Sequence, residues 1–164
     1  MIKYVKDGNI FEDNHNAIVC TTNCVGVMGK GIALEFKQRF PKFFNEYKEY
    51  CKECKPKGGD CMIFHNQDYE KPSYLITVMT KEHWFNPSKL EWIHAGLEDL
   101  VGRVETINEM KDRKRIESLG LPALGCSNGG LQWDMVKPLI EKHLSNVDIN
   151  ITVYEPREKT NASN

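Results

Sequence analysis

Across 164 residues there is no apolar run long enough to cross a bilayer, which excludes a helical membrane span and fits a single domain with one core. The N-terminus lacks the apolar stretch and small-residue cleavage site of a signal peptide. Met1-Ile-Lys-Tyr-Val-Lys-Asp enters an alternating strand pattern at once, so a cytoplasmic address is expected. Charge of one sign is missing too: 22 Lys and Arg against 23 Asp and Glu leave a formal net charge of -1. A broad basic footprint for nucleic acid is thereby excluded, and any such contact must be local. No Lys-Ser/Thr pair closes a Walker A loop, and no acidic residue after a second strand completes a dinucleotide fingerprint.

Cysteine is not scarce, but the six cysteines fall inside predicted strands and loops of a chain with an ample core and no secretory signal. They are read as reduced thiols. Cys51-x-x-Cys54 followed by Cys61 has part of a zinc pattern. His65 is the nearest fourth ligand, its spacing fits no common zinc site, and no metal is expected.

Segments rich in β-branched and aromatic residues predict strands at Ile2 to Val5, Ala17 to Thr22, Cys61 to His65, Tyr74 to Thr80, Ile116 to Leu121 and Asn150 to Tyr154. Between them, Ile32, Phe36 and Phe40 share a helical face that ends at Pro41. That proline starts a second helix carrying Phe43, Phe44, Tyr47 and Tyr50. A third helix follows Asn86-Pro87-Ser88, and a fourth runs from Trp133 to Leu144 with Pro138 in its first turns. Strands alternating with helices predict an α/β fold whose mixed, largely parallel sheet is covered on both faces. Residues 1–156 form the expected domain, and the tail from Arg157 is expected to be disordered.

Ligands of such sheets sit at the carboxyl ends of the strands. After Thr22 comes Asn23-Cys-Val-Gly26-Val-Met-Gly29-Lys30-Gly31-Ile32, then a helix. Pro122-Ala123-Leu-Gly125-Cys126-Ser127-Asn128-Gly129-Gly130-Leu131 repeats the arrangement. Either loop alone reads equally as a tight strand-to-helix connection. Two of them form an anion cradle of diphosphate size, because glycine lets backbone N–H groups approach and a helix N-terminus favours negative charge.

At these residues the chain resembles the macrodomain family, the ADP-ribose-binding α/β/α fold, over nearly its whole length. More narrowly, Thr22 to Lys37, Thr80-Lys-Glu-His-Trp84, Pro87 to Ile93 and Leu124 to Trp133 resemble the DarG branch, antitoxins that remove ADP-ribose from thymidine in DNA. Terminal ADP-ribose glycohydrolases are a more distant branch. The resemblance implies an ADP-ribosyl glycohydrolase without a cofactor, acting on ADP-ribosylated thymidine in single-stranded DNA, with a DarT-like toxin as counterpart and a monomeric state. Hydrolysis of a glutamate ester on protein or of O-acetyl ADP-ribose, or reading of ADP-ribose without turnover, remain open alternatives. So does the choice between a stand-alone enzyme and part of a longer antitoxin.

The resemblance also assigns positions. Asn9, after Gly8, stands where the family carries an adenine-binding aspartate; an asparagine amide can still pair with adenine. Ile10 would pack on adenine, and Tyr154 would lie against it or in the core. Thr22, Gly29, Lys30, Gly31, Ile32, Ala123, Gly125, Cys126, Ser127, Asn128, Gly129, Gly130 and Leu131 line the diphosphate and ribose. Asn23 holds a ribose hydroxyl or organises a turn. Gly129 occupies the place of an aspartate in the distant branch, which argues against a lysine-aspartate pair. Lys81 matches the lysine on which the DarG branch depends, as nucleophile, base or acid at the distal ribose C1″, against the plain alternative of an exposed strand-end lysine. His83 and Trp84 are candidates for stacking a nucleobase, or Trp84 packs under the third helix.

Overall fold

The computed structural model describes residues 1–67 and 71–157, so the expected disordered tail lies, after Arg157, outside the described residues. The strands are β1 (Ile2–Val5), β2 (Ala17–Asn23), β3 (Cys61–His65), β4 (Tyr74–Lys81), β5 (Ser118–Pro122) and β6 (Asn150–Tyr154). The helices are α1 (Gly31–Arg39), α2 (Pro41–Cys54), α3 (Leu90–Glu109) and α4 (Trp133–Leu144). They form one sheet in the order β1-β6-β5-β2-β4-β3, parallel except for the antiparallel edge pair of β3 and β4. This is the expected α/β architecture.

Strand β4 shows why the sheet needs cover on both faces. Seven of its eight residues are buried, and only Lys81 at the end is partly exposed. Tyr74, Ile76 and Val78 face one core layer, with Ile93, Leu97 and Leu100 of α3 and Val136 and Ile140 of α4. Leu75 and Met79 face the other, with Phe36 of α1 and Phe43 and Tyr47 of α2. Each such large apolar side chain contributes about 1.5–3 kcal/mol by leaving water. Period-two alternation in the strands and 3.6-residue periodicity in the helices therefore place the layers.

Three strands differ in their bounds from the sequence reading. Ile116 is buried but lies before β5, because the Asn108 side chain takes both of its backbone groups: Oδ1 accepts from Ile116 N at 2.7 Å and Nδ2 donates to Ile116 O at 2.9 Å. Strands β2 and β4 each run one residue longer than expected, to Asn23 and Lys81. The partial zinc pattern is divided by the sheet: Cys61 packs in the α3/α4 layer, Cys51 in the α1/α2 layer. His65 is exposed and stacks on Tyr74 at 5.1 Å. All six cysteines are free thiols.

Helix α3 packs tightly on the sheet at Gly96, where a Cβ would come within 2.6 Å of Val78 Cγ1. Gly96→Val is expected to cost about 1–3 kcal/mol through overpacking. Urea denaturation monitored by circular dichroism measures it.

Candidate functional site

Three connections meet at the carboxyl edge of the sheet: residues 24–30 after β2, 82–89 after β4 and 123–132 after β5. A register shift between Thr22 and Asn23 changes what faces what there. Thr22 pairs with Met79, but Asn23 pairs with Lys81, so a one-residue bulge sets the two strand ends side by side.

Asn23 is 5% exposed, and its amide is spent on the first loop. Oδ1 accepts from Val25 N at 3.1 Å and Val27 N at 3.3 Å, and Nδ2 donates to Val27 O at 2.9 Å. The Tyr47 hydroxyl, from α2, donates to Asn23 O at 2.7 Å and lies 2.9 Å from Oδ1. The structure thus gives Asn23 the turn-organising role. Tyr47 is the partner that sequence reasoning missed, since it read only as a helix core residue.

The first loop ends in α1 with Lys30 at the N-cap, extended and without a side-chain cap hydrogen bond. The first-turn N–H groups of α1 are therefore not occupied by a capping side chain, and they lie at the positive end of the helix dipole. Gly31 opens the helix at φ +55°, and a Cβ on Gly29 would meet Val27 Cγ1 at 3.7 Å, an ordinary van der Waals contact. Lys30 is exposed and Ile32 half-buried against the α1/α2 core.

The second loop folds back on itself. Leu131 N donates to Gly125 O at 2.9 Å, Cys126 N to Ala123 O at 3.2 Å, and Gly125 and Gly130 adopt φ of +73° and +77°. Leu131 is half-buried against the α3/α4 core, while Ser127 and Asn128 are exposed. Gly129 is buried against Ser88, which precedes α3: Ser88 N donates to Gly129 O at 3.0 Å, and a Cβ on Gly129 would lie 2.3 Å from Ser88 Oγ. An aspartate at 129 has no room here. In the sequence Ser88 read only as part of the start signal of the third helix.

Lys81 links all three connections. Its Nζ donates to Asn128 O at 2.8 Å and lies 3.5 Å from Trp84 O. Asn128 Nδ2 in turn lies 3.7 Å from where a Gly31 Cβ would stand, so the two glycine loops approach each other beside this amine. Partial burial, then the positive charge of Lys30, pull the Lys81 amine below the ordinary lysine range. No acidic side chain is paired with it among the described residues. The nearby thiols move the other way, chiefly through burial: Cys24 is pushed up to about 12 and Cys126 to about 11, so both stay protonated. Of these three groups only Lys81 is shifted toward its deprotonated form.

Other expected contacts lie elsewhere. The Thr22 hydroxyl is buried against the Thr77 hydroxyl. Ile10 is 5% exposed within the α1/α2 core. Tyr154 is in that core as well, its hydroxyl 2.5 Å from Asp13 Oδ2 and 2.7 Å from His15 Nε2, so it is the core alternative that the structure shows. Asn9 uses Oδ1 to accept from Phe11 N at 2.9 Å and is half-exposed. His83, Trp84 and Phe85 stand exposed at the rim; Trp84 does not pack under α3.

Two glycine-rich strand-to-helix loops converging on one edge of a three-layer α/β/α sheet define the architecture of a macrodomain. The Macro domain family model matches residues 19–140, and the chain belongs to that family. It is 37% identical over 163 residues to the DNA ADP-ribosyl glycohydrolase of Thermus aquaticus, a match covering 99% of this chain and 43% of that protein. The macrodomain of Mycobacterium tuberculosis DarG superposes with a TM-score of 0.86 at 38% identity, covering 95% of this chain and 98% of that one. Thermosipho africanus DarTG in complex with ADP-ribose gives a TM-score of 0.84 at 29% identity, covering 96% of this chain and 43% of that one. The chain thus spans less than half the length of the curated DNA ADP-ribosyl glycohydrolases it matches.

The two loops differ in tolerance. Gly129→Ala is expected to cost about 1–3 kcal/mol because Ser88 and Gly125 must yield, whereas Gly29→Ala stays within about 0.5 kcal/mol. Parallel urea titrations compare them.

Proposed function

We propose that this chain removes ADP-ribose from thymidine in single-stranded DNA, opposing a DarT-type transferase, and that Lys81 performs the chemistry. The observation that carries this reading is the position of the Lys81 amine, held on Asn128 O between both glycine loops and pulled below its ordinary proton affinity. The relatives named DNA ADP-ribosyl glycohydrolase support the same substrate.

The glycine loops and the open N-terminus of α1 bind the diphosphate equally in substrate and transition state, so they give affinity rather than rate. The rate comes from the neutral Lys81 amine attacking the distal ribose C1″. A C1″–N bond forms while the glycosidic bond to the base nitrogen breaks, and the electron pair leaves with the base, which takes a proton from water. Water then replaces the lysine at C1″ and frees ADP-ribose. Asn23 acts through the loop it organises and is a positioning residue. Asn9 offers its free Nδ2 to the adenine, and His83 and Trp84 receive the thymine side of the substrate.

Lys81→Ala is expected to lower ADP-ribose release from a modified single strand by about 10²- to 10⁴-fold. Binding of ADP-ribose, measured by calorimetry, should persist. Lys81→Arg keeps the charge and the reach to Asn128 O and should be equally slow, because a guanidinium does not lose its proton. Since the neutral amine is the active form, kcat/KM should rise with pH and level off below the ordinary lysine range. A rate that falls as pH rises would assign the ammonium instead, and a fully active Lys81→Ala would sink the role altogether. A module that only reads ADP-ribose would bind in every variant and release nothing in any.

A further inference from the structure

Exposed apolar side chains are concentrated beside Lys81. Of the seven large hydrophobic residues exposed among the described residues, four are Val25 (41%), Val27 (39%), Trp84 (55%) and Phe85 (64%). They sit on two segments fastened together at their roots: Cys24 N donates to Glu82 O at 3.1 Å, and Cys24 Sγ to Lys81 O at 3.3 Å. The rings are already ordered against one another. His83 and Phe85 stack at 5.2 Å and 21°, and Trp84 meets Phe85 edge-on at 5.3 Å and 90°. Because Lys81 Nζ also reaches toward Trp84 O, this ledge and the amine share one piece of backbone.

Size and charge limit what can lie on it. A stable protein partner covers about 800 Å² per side, far more than these few side chains offer. A duplex requires a continuous basic track along its phosphates, whereas this knuckle mixes the exposed Glu82 with Lys89 and the net charge of the chain is balanced. A single planar, unpaired base matches a ledge of aromatic rings, since stacking needs neither hydrogen-bond readout nor a continuous groove.

Building on the proposed function, we propose that Phe85, set edge-on against Trp84 and on the segment fastened to that of Val25 and Val27, stacks the unmodified base next to the ADP-ribosylated thymidine. The substrate is then an oligonucleotide, single-stranded at least at that neighbour, rather than a free nucleoside.

The test compares kcat/KM for a short single strand carrying one ADP-ribosylated thymidine with that for ADP-ribosylated thymidine alone, and measures binding of unmodified oligothymidylate by fluorescence anisotropy. The wild-type protein is expected to favour the strand on the order of tenfold, the scale of one stacked base. Phe85→Ala should bring that ratio toward one and weaken oligothymidylate binding by a similar factor, and annealing a complementary strand should remove the preference. An unchanged ratio and unchanged binding in Phe85→Ala overturn the ledge, as does an equal loss on both substrates. If the wild-type protein cleaves neither substrate yet binds oligothymidylate through Phe85, the hydrolase reading fails and the ledge stands.

Discussion

The carboxyl edge of this sheet is organised around one buried amide. Asn23 satisfies three backbone groups of the following loop and receives the Tyr47 hydroxyl from α2, which ties β2, the first glycine loop and the second core layer together. Breaking such a network leaves buried polar groups unpaired, each costing about 1–3 kcal/mol, so the loop has one conformation rather than many. The bulge at the same residue sets it opposite Lys81. The first glycine loop and the lysine beyond it therefore have a common origin in the β2–β4 register.

The electrostatics of the edge separate holding from reacting. The uncapped start of α1, together with Lys30, offers a fixed positive field to an anion. Lys81 stands in the same field but is repelled by it and partly desolvated, which makes its proton easier to lose. Beside the exposed Lys30, Lys81 thus becomes the less basic, more easily deprotonated amine. Burial keeps the thiols of Cys24 and Cys126 protonated and out of the competition.

Most of this fold is legible in the sequence because its layers follow simple periods. The strands fall within one or two residues of where alternation puts them, the second helix starts at the proline that punctuates the chain, and the glycine loops stand out by composition. The site was less legible where main-chain atoms do the work. Asn128 holds Lys81 through a carbonyl oxygen, which every residue type possesses, and Ser88 is tied to Gly129 through its backbone N–H. Side-chain direction was hidden as well: Thr22, Ile10 and Tyr154, expected to face the ligand, are buried. At a strand end, alternation does not say which face a residue takes once a bulge has shifted the register.

Residues 82–89 are attached at both ends by main-chain hydrogen bonds, Cys24 N donating to Glu82 O and Ser88 N to Gly129 O. Neither bond depends on the identity of the side chains carried between them. The segment is therefore an exchangeable cassette: its rim-facing residues can drift, or be grafted from another chain of equal length, without disturbing the sheet or the anion cradle. Divergence in what this fold accepts beyond the ADP-ribose would then concentrate in a few positions, while the machinery beneath stays constant.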